Sequence, residues 1–134
     1  MLPGLALRSV KTCPFCTGLL NGSRDVLARR GGLVLIESRF KVARRHALIL
    51  PWAHVEHEMG LKDELLLIEV RDWARDLAYE RCVVHPPPFN SVNHFHVHCL
   101  DPPFTNTYRD WAHSGLPPFS FTVDQCIKRA RPPK

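Results

Sequence analysis

The sequence predicts an α+β domain: an antiparallel sheet of about five strands with one long helix and a short C-terminal helix. Three observations lead there. Two strand-like runs flank Gly31-Gly32, and paired glycines suit the tight turn of a hairpin, which sets strands antiparallel. Residues 62–81 repeat apolar side chains at helical spacing. No further alternation of helix and strand follows that would build a parallel sheet. The 134 residues fit a single domain, 1–134.

Residues 1–12 read as a loose leader and 128–134 as a basic tail. Between them, 25–29 and 33–36 form the hairpin. Residues 46–50 make a short apolar strand stopped by Pro51, because proline cannot donate to a strand ladder. In 62–81, Leu66, Val70, Trp73 and Leu77 share a helix face, flanked by Leu67, Ala74 and Ala78. Asp63 and Glu64 in the first turn and Arg81 in the last complement the helix dipole. Residues 82–84 read as a strand, Pro86-Pro87-Pro88 as a rigid connector, and 92–100 as a central strand. Proline-broken loops follow, then a strand at 119–123 and a short helix capped by Asp124 and ended by Pro132-Pro133.

A composition of 45% hydrophobic and 23% charged residues is that of an ordinary globular protein and argues against wholesale disorder. No apolar run approaches the ~20 residues of a membrane span, and the first ten residues do not read as a signal peptide. The expectation is a protein with no membrane partner, cytoplasmic or also nuclear. Five cysteines, of which only Cys13 and Cys16 stand at a motif spacing, suit a reducing compartment better than a disulfide framework. The net charge is +5, and 13 of the 18 cations are arginine. The planar guanidinium grips phosphate and carboxylate, so an anionic ligand is open, although the same charge also serves solubility alone.

The most informative stretch is His94-Phe95-His96-Val97-His98. Side chains at i, i+2 and i+4 of a strand share a face, so the three imidazoles line one surface while Phe95, Val97 and Cys99 face apolar packing. Neighbouring histidines then start ~6.6 Å apart and the outer two ~13 Å apart, too far for one metal to take all three easily. An adjacent pair could share a metal. Equally, the middle imidazole could act as a nucleophile, with a second histidine to protonate a leaving group and a third to hold the tautomer.

The stretch 94–100 resembles the signature of the histidine-triad (HIT) superfamily, three histidines alternating with apolar residues. Ser91-Val92-Asn93-His94 resembles the approach to the triad in Hint-type members, and 46–54 resembles the family's strand exit, a histidine, an apolar run, a proline and a second histidine. Pro87-Pro88-Phe89 and Tyr108-Arg109 are similar to the histidine triad nucleotide-binding protein 3 subgroup. The resemblance covers about residues 13–130. It implies the HIT fold, a homodimer, and hydrolysis of nucleoside 5'-phosphoramidates or acyl-adenylates through a nucleotidyl-histidine intermediate. By position, His96 is the nucleophile, His98 and Ser91 serve the leaving group and phosphate, and His46 and His94 orient the triad. The implied partner is a purine nucleotide or nucleoside phosphoramidate bound by His46, Ser38, Ser91, His96 and His98. Two positions depart: Ser38 stands where Hint-type members usually carry a ribose-binding Asp, and His85 stands near a usual Asn.

Cys13-Pro14-Phe15-Cys16 has a redox reading and a metal reading. The redox reading needs a long helix after the pair, and Thr17 to Gly22 looks too glycine-broken for one. Some HIT proteins complete a zinc site from such a pair with two histidines, which implies Cys13, Cys16, His54 and His94 as structural ligands here. His57 reads as exposed and without a role. Trp73 and Trp111 read as core or dimer surface, and 128–131 as a solvated basic tail for which nucleic acid is an unlikely partner. Two rival readings stand beside the hydrolase. One is a nucleotide-binding or scaffold protein with weak catalysis. The other is a nucleic-acid end-processing enzyme, which usually carries a further zinc finger.

Overall fold

The computed structural model describes residues 12–90 and 92–132. The expected leader therefore lies outside the described residues save for residue 12, as does Ser91. One sheet of six strands organises the rest, in the order β1-β2-β3-β5-β4-β6 with every pair antiparallel. The strands are β1 (Val26–Arg30), β2 (Leu33–Glu37), β3 (Ala43–Pro51), β4 (Arg81–Val84), β5 (Val97–Phe104) and the two-residue β6 (Phe121–Thr122). The helices are α1 (Pro14–Leu20), α2 (His57–Gly60), α3 (Glu64–Asp76), α4 (Thr107–Ala112) and α5 (Val123–Ala130). None is long and apolar enough to cross a membrane.

Both faces of the sheet are covered. Leu33, Leu35, Ala47, Ile49, Val97 and Cys99 meet Leu67, Val70, Trp73 and Ala74 of α3 and Cys126 and Ile127 of α5. On the other face Val34, Ile36, Leu48 and Leu50 meet Phe15, Cys16 and Leu19 of α1. Burial on both sides explains why β2 is a continuous apolar run rather than an alternating one. Trp73 is a core residue and offers no pairing surface, whereas Trp111 is exposed on α4 and packs on Phe119 with ring centres 4.8 Å apart.

Several boundaries differ from expectation. The long helix stops at Asp76, and Ala78 takes a left-handed φ of 59°, so Arg81 belongs to β4 and not to a last helical turn. Asp63 is the N-cap of α3, accepting the Leu66 N–H at 3.1 Å. The cap of α5 is Thr122 rather than Asp124, in a capping box with Gln125. Lys128 and Arg129 lie in the last turn of α5, and Arg131 pairs with Glu64 at 3.6 Å, so the basic stretch begins as packed helix. β5 starts at Val97 and runs on through Pro102 and Pro103. The prolines are tolerated because the ladder slips there: Arg45 pairs Asp101 and Ala43 pairs Phe104, leaving one β3 residue opposite two prolines. A short helix does follow Cys13, seven residues long with Gly18 inside it.

Phe95 anchors the segment that leads into β5. It is fully buried, and its N–H donates to the Val55 carbonyl at 2.7 Å. Its ring lies against Gly60 so closely that a Cβ at position 60 would overlap it. Gly60→Ala should therefore destabilise the fold by about 1–3 kcal/mol through overpacking. Urea unfolding measures this, and unchanged stability would contradict the packing.

Candidate active site and metal-ligating cluster

β3 and β5 lie side by side at the centre of the sheet, and Leu48 stands opposite His98. Val97 and Cys99 point into the α3 side. His96 and His98 point the other way, into a cavity of about 410 Å³ that also receives Ser38, His85, Arg109 and His113. The shared face expected for the triad is thus present for His96 and His98. His94 precedes the strand and turns to α1 instead, its Nδ1 against the Cys13 and Cys16 sulfurs.

Backbone groups decide which nitrogen of each ring carries its proton. A carbonyl can only accept, so His96 donates from Nδ1 to the His94 carbonyl at 2.7 Å, which leaves its Nε2 as a lone pair. An amide N–H can only donate, so His46 accepts from Val42 at Nδ1 (3.1 Å) and must carry its proton on Nε2. That Nε2–H faces His98 Nδ1 at 2.8 Å, so His98 accepts there and carries its own proton on Nε2. Burial keeps these rings uncharged: it pushes His46 down to about 4 and His96 to about 3, and holds His98 well below the usual imidazole range. The pair His96–His98, with ring centres 5.3 Å apart, therefore offers a nucleophilic lone pair beside an N–H donor at neutral pH.

The remaining predicted residues fall as follows. Ser38 lines the cavity, its N–H donating to the His46 carbonyl (3.1 Å) and its hydroxyl to the Phe40 carbonyl (3.3 Å). Ser91 lies outside the described residues. His57, read as exposed, is 1% exposed. Its Nε2–H donates to the His85 carbonyl at 2.6 Å and its ring centre lies 5.1 Å from that of His96. His57 is buried because α2 folds back under Phe95, a contact that no local pattern announces. His113 also belongs to the site. Its only sequence signal is a histidine in a polar turn, and α4 brings it to the cavity.

The second cluster joins Cys13, Cys16, His54 and His94, all buried, with one ligand atom from each within 4.8 Å of the others. Cys13 Sγ and His94 Nδ1 are 3.4 Å apart, Cys16 Sγ and His54 Nδ1 3.4 Å, and Cys16 Sγ and His94 Nδ1 3.5 Å. Ligands of a tetrahedral zinc stand roughly 3.3–3.8 Å apart at bonds of ~2.0–2.3 Å, so the donor set fits that ion in type and spacing. His94 Nε2–H donates to the Pro51 carbonyl at 2.9 Å, which turns the Nδ1 lone pair toward the sulfurs, as a metal-ligating imidazole requires. The seven-residue α1 falls short of the long helix a redox pair calls for.

No family model matches the chain. The chain is 24% identical over 136 residues to the bifunctional adenosine 5'-phosphosulfate phosphorylase/adenylylsulfatase HINT4 of Arabidopsis thaliana, a match covering 91% of this chain and 93% of that one. Among solved structures, a HIT family hydrolase from Clostridium thermocellum superposes with a TM-score of 0.59 at 19% identity, covering 73% of this chain and 96% of that one. A histidine triad protein from Clostridium difficile gives 0.56 at 18% identity, covering 73% and 97%. Taken with the six-stranded antiparallel sheet, these likenesses show that the chain has the fold of histidine-triad (HIT) proteins, and its triad motif runs into the central strand β5 of that fold.

Proposed function

We propose that this protein hydrolyses nucleoside 5'-monophosphate derivatives, phosphoramidates or acyl-adenylates, through a nucleotidyl intermediate on His96. The observation that carries the reading is the fixed pair of tautomers: a lone pair on His96 Nε2 beside a proton on His98 Nε2, both at one cavity. His96 Nε2 forms a bond to the α-phosphorus while the bond from phosphorus to the leaving group breaks, and the electron pair departs with the leaving group. His98 Nε2–H donates to the phosphoryl oxygens or the leaving atom as charge grows there. Water then attacks phosphorus, loses its proton to solvent or to the departed group, and the His96–phosphorus bond breaks to release the nucleoside monophosphate. Arg24, Arg39 and Arg109 line the same cavity and suit an anionic nucleotide. The Arabidopsis relative's name adds adenosine 5'-phosphosulfate as a candidate of the same class, one adenylyl group on a leaving group.

A structural zinc on Cys13, Cys16, His54 and His94 belongs to this proposal. Four protein ligands leave no open position, so the ion would supply stability rather than Lewis acidity. The tie would run from α1 to His94, whose carbonyl holds His96. A homodimer belongs to it as well, and the exposed aromatic group of Tyr108, Trp111 and Phe119 supports an apolar contact.

His96→Ala should lower turnover of an adenosine phosphoramidate or of adenosine 5'-phosphosulfate by on the order of 10³-fold or more while the fold persists. Near-normal turnover in a folded variant would contradict the mechanism. Metal analysis should find one zinc per chain, and chelation or Cys13→Ser should lower the Tm by more than about 5 °C. A metal-free chain of unchanged Tm would contradict the site. Light scattering should give twice the 15.3 kDa chain mass, and a monomer mass would contradict the pairing.

A further inference from the structure

We propose that His85 and His113, with Arg109 beside them, form an oxyanion subsite next to His98 that takes up a proton as its ligand binds. His85 follows β4, His98 sits on β5 and His113 follows α4, and one ring nitrogen from each lies within 4.8 Å of the others. The ring centres of His85 and His113 are 4.7 Å apart, those of His85 and His98 5.0 Å, and those of His98 and His113 5.3 Å. All three rings and Arg109 line the cavity that holds His96.

Each ring is held in one tautomer. His85 donates from Nδ1 to the Phe119 carbonyl at 3.0 Å, and His113 from Nδ1 to the Arg109 carbonyl at 2.9 Å. Both are thereby left with a lone pair on Nε2, while His98 offers an Nε2–H. The cavity is lined by Arg24, Arg39 and Arg109, and among the described residues that line it there is no carboxylate. Its charge calls for an anion. An oxyanion that bonds to His98 would meet two lone pairs, which repel it. A proton gained by either imidazole turns that lone pair into a donor, so anion and proton bind together. A divalent metal is the poorer occupant, because His98 presents a proton where a metal needs a lone pair.

The charged and titratable neighbours set the sign. His46 and His98 face the pair as neutral rings from β3 and β5. Arg109 lies on α4, and Arg81 of β4 donates to the His113 carbonyl at 3.2 Å while Asp110 pairs with it at 2.8 Å. In the free protein burial, then the nearby His85, holds His113 down at about 4, and burial also lowers His85. Both are neutral at pH 7. A bound anion raises both, so protons are taken up at every pH between the free and bound values, and anion affinity rises as pH falls through that window. The subsite would favour ligands with an anionic group beside the reaction centre over those with a neutral amine there. The inference rests on the proposed function only for that identity, since anion binding needs no turnover.

Sulfate is the probe, because it does not titrate between pH 5 and 8. Calorimetry in two buffers of different ionisation enthalpy counts the protons, on the full chain and on His113→Gln, His85→Gln and His96→Asn. The expected result is uptake of about one proton with sulfate, and affinity rising by up to about tenfold per pH unit below pH 7. His113→Gln or His85→Gln should reduce the uptake and weaken binding at pH 6 far more than at pH 8, while His96→Asn should keep the uptake. Sulfate binding without uptake, uptake lost only in His96→Asn, or no sulfate binding beside a zinc equivalent that vanishes in His113→Gln would each overturn the proposal. Adenosine 5'-monophosphate distinguishes the source: displacement of sulfate assigns the subsite to the nucleotide's own phosphate, and joint binding assigns it to a separate oxyanion, both consistent with the subsite. Loss of turnover in His96→Ala leaves these results untouched, so the two proposals fail separately.

Discussion

The N–H of Val42 donates to Nδ1 of His46, and the polarity of the histidine row follows from that bond. A buried neutral imidazole has one donor and one acceptor, and a wrong assignment strands both. Val42 makes His46 a donor to His98, and His98 then presents a proton to the cavity. His96 is set the opposite way by the His94 carbonyl. The opposite orientation of His96 and His98 is thus a main-chain decision. Burial alone would give uncharged rings, but it would not say which side of each ring carries the proton.

The fold is arranged to hold those main-chain groups still. The carbonyl that orients His96 belongs to His94, whose own ring is gripped by the Pro51 carbonyl at the end of β3 and by the two cysteines of α1. Between the two histidines Phe95 plugs the opposite side, under Gly60. One face of this short segment is therefore locked by apolar packing and the other by polar contacts, with Phe15 of α1 touching the edges of both His94 and His96. Loss of α1 would act on the orientation of His96 through these contacts, without touching the cavity itself.

Much of this was legible from residues alone. The period of two in 94–98 separates Phe95 and Val97 from His96 and His98, and the structure keeps that separation. The four zinc-type ligands came from the family resemblance and meet in space. What stayed hidden depends on long-range approach. His57 is buried because α2 returns beneath Phe95, and His113 reaches His85 and His98 only because the end of α4 lies beside them. Boundaries failed for a related reason. Ala78 ends the long helix in a left-handed conformation that its type does not advertise. Pro102 and Pro103 stay in a strand because a slip in the partner frees them from the ladder.

Nitrogen-15 NMR of the imidazoles at pH 7 tests this ordering most directly, because long-range couplings distinguish the two neutral tautomers of each ring. The protein should show the proton on Nδ1 for His96, His85 and His113, and on Nε2 for His46, His98, His94 and His57. A proton on Nε2 of His96, or on Nδ1 of His98, would contradict it, since the cavity would then hold either no lone pair for attack or no donor beside it.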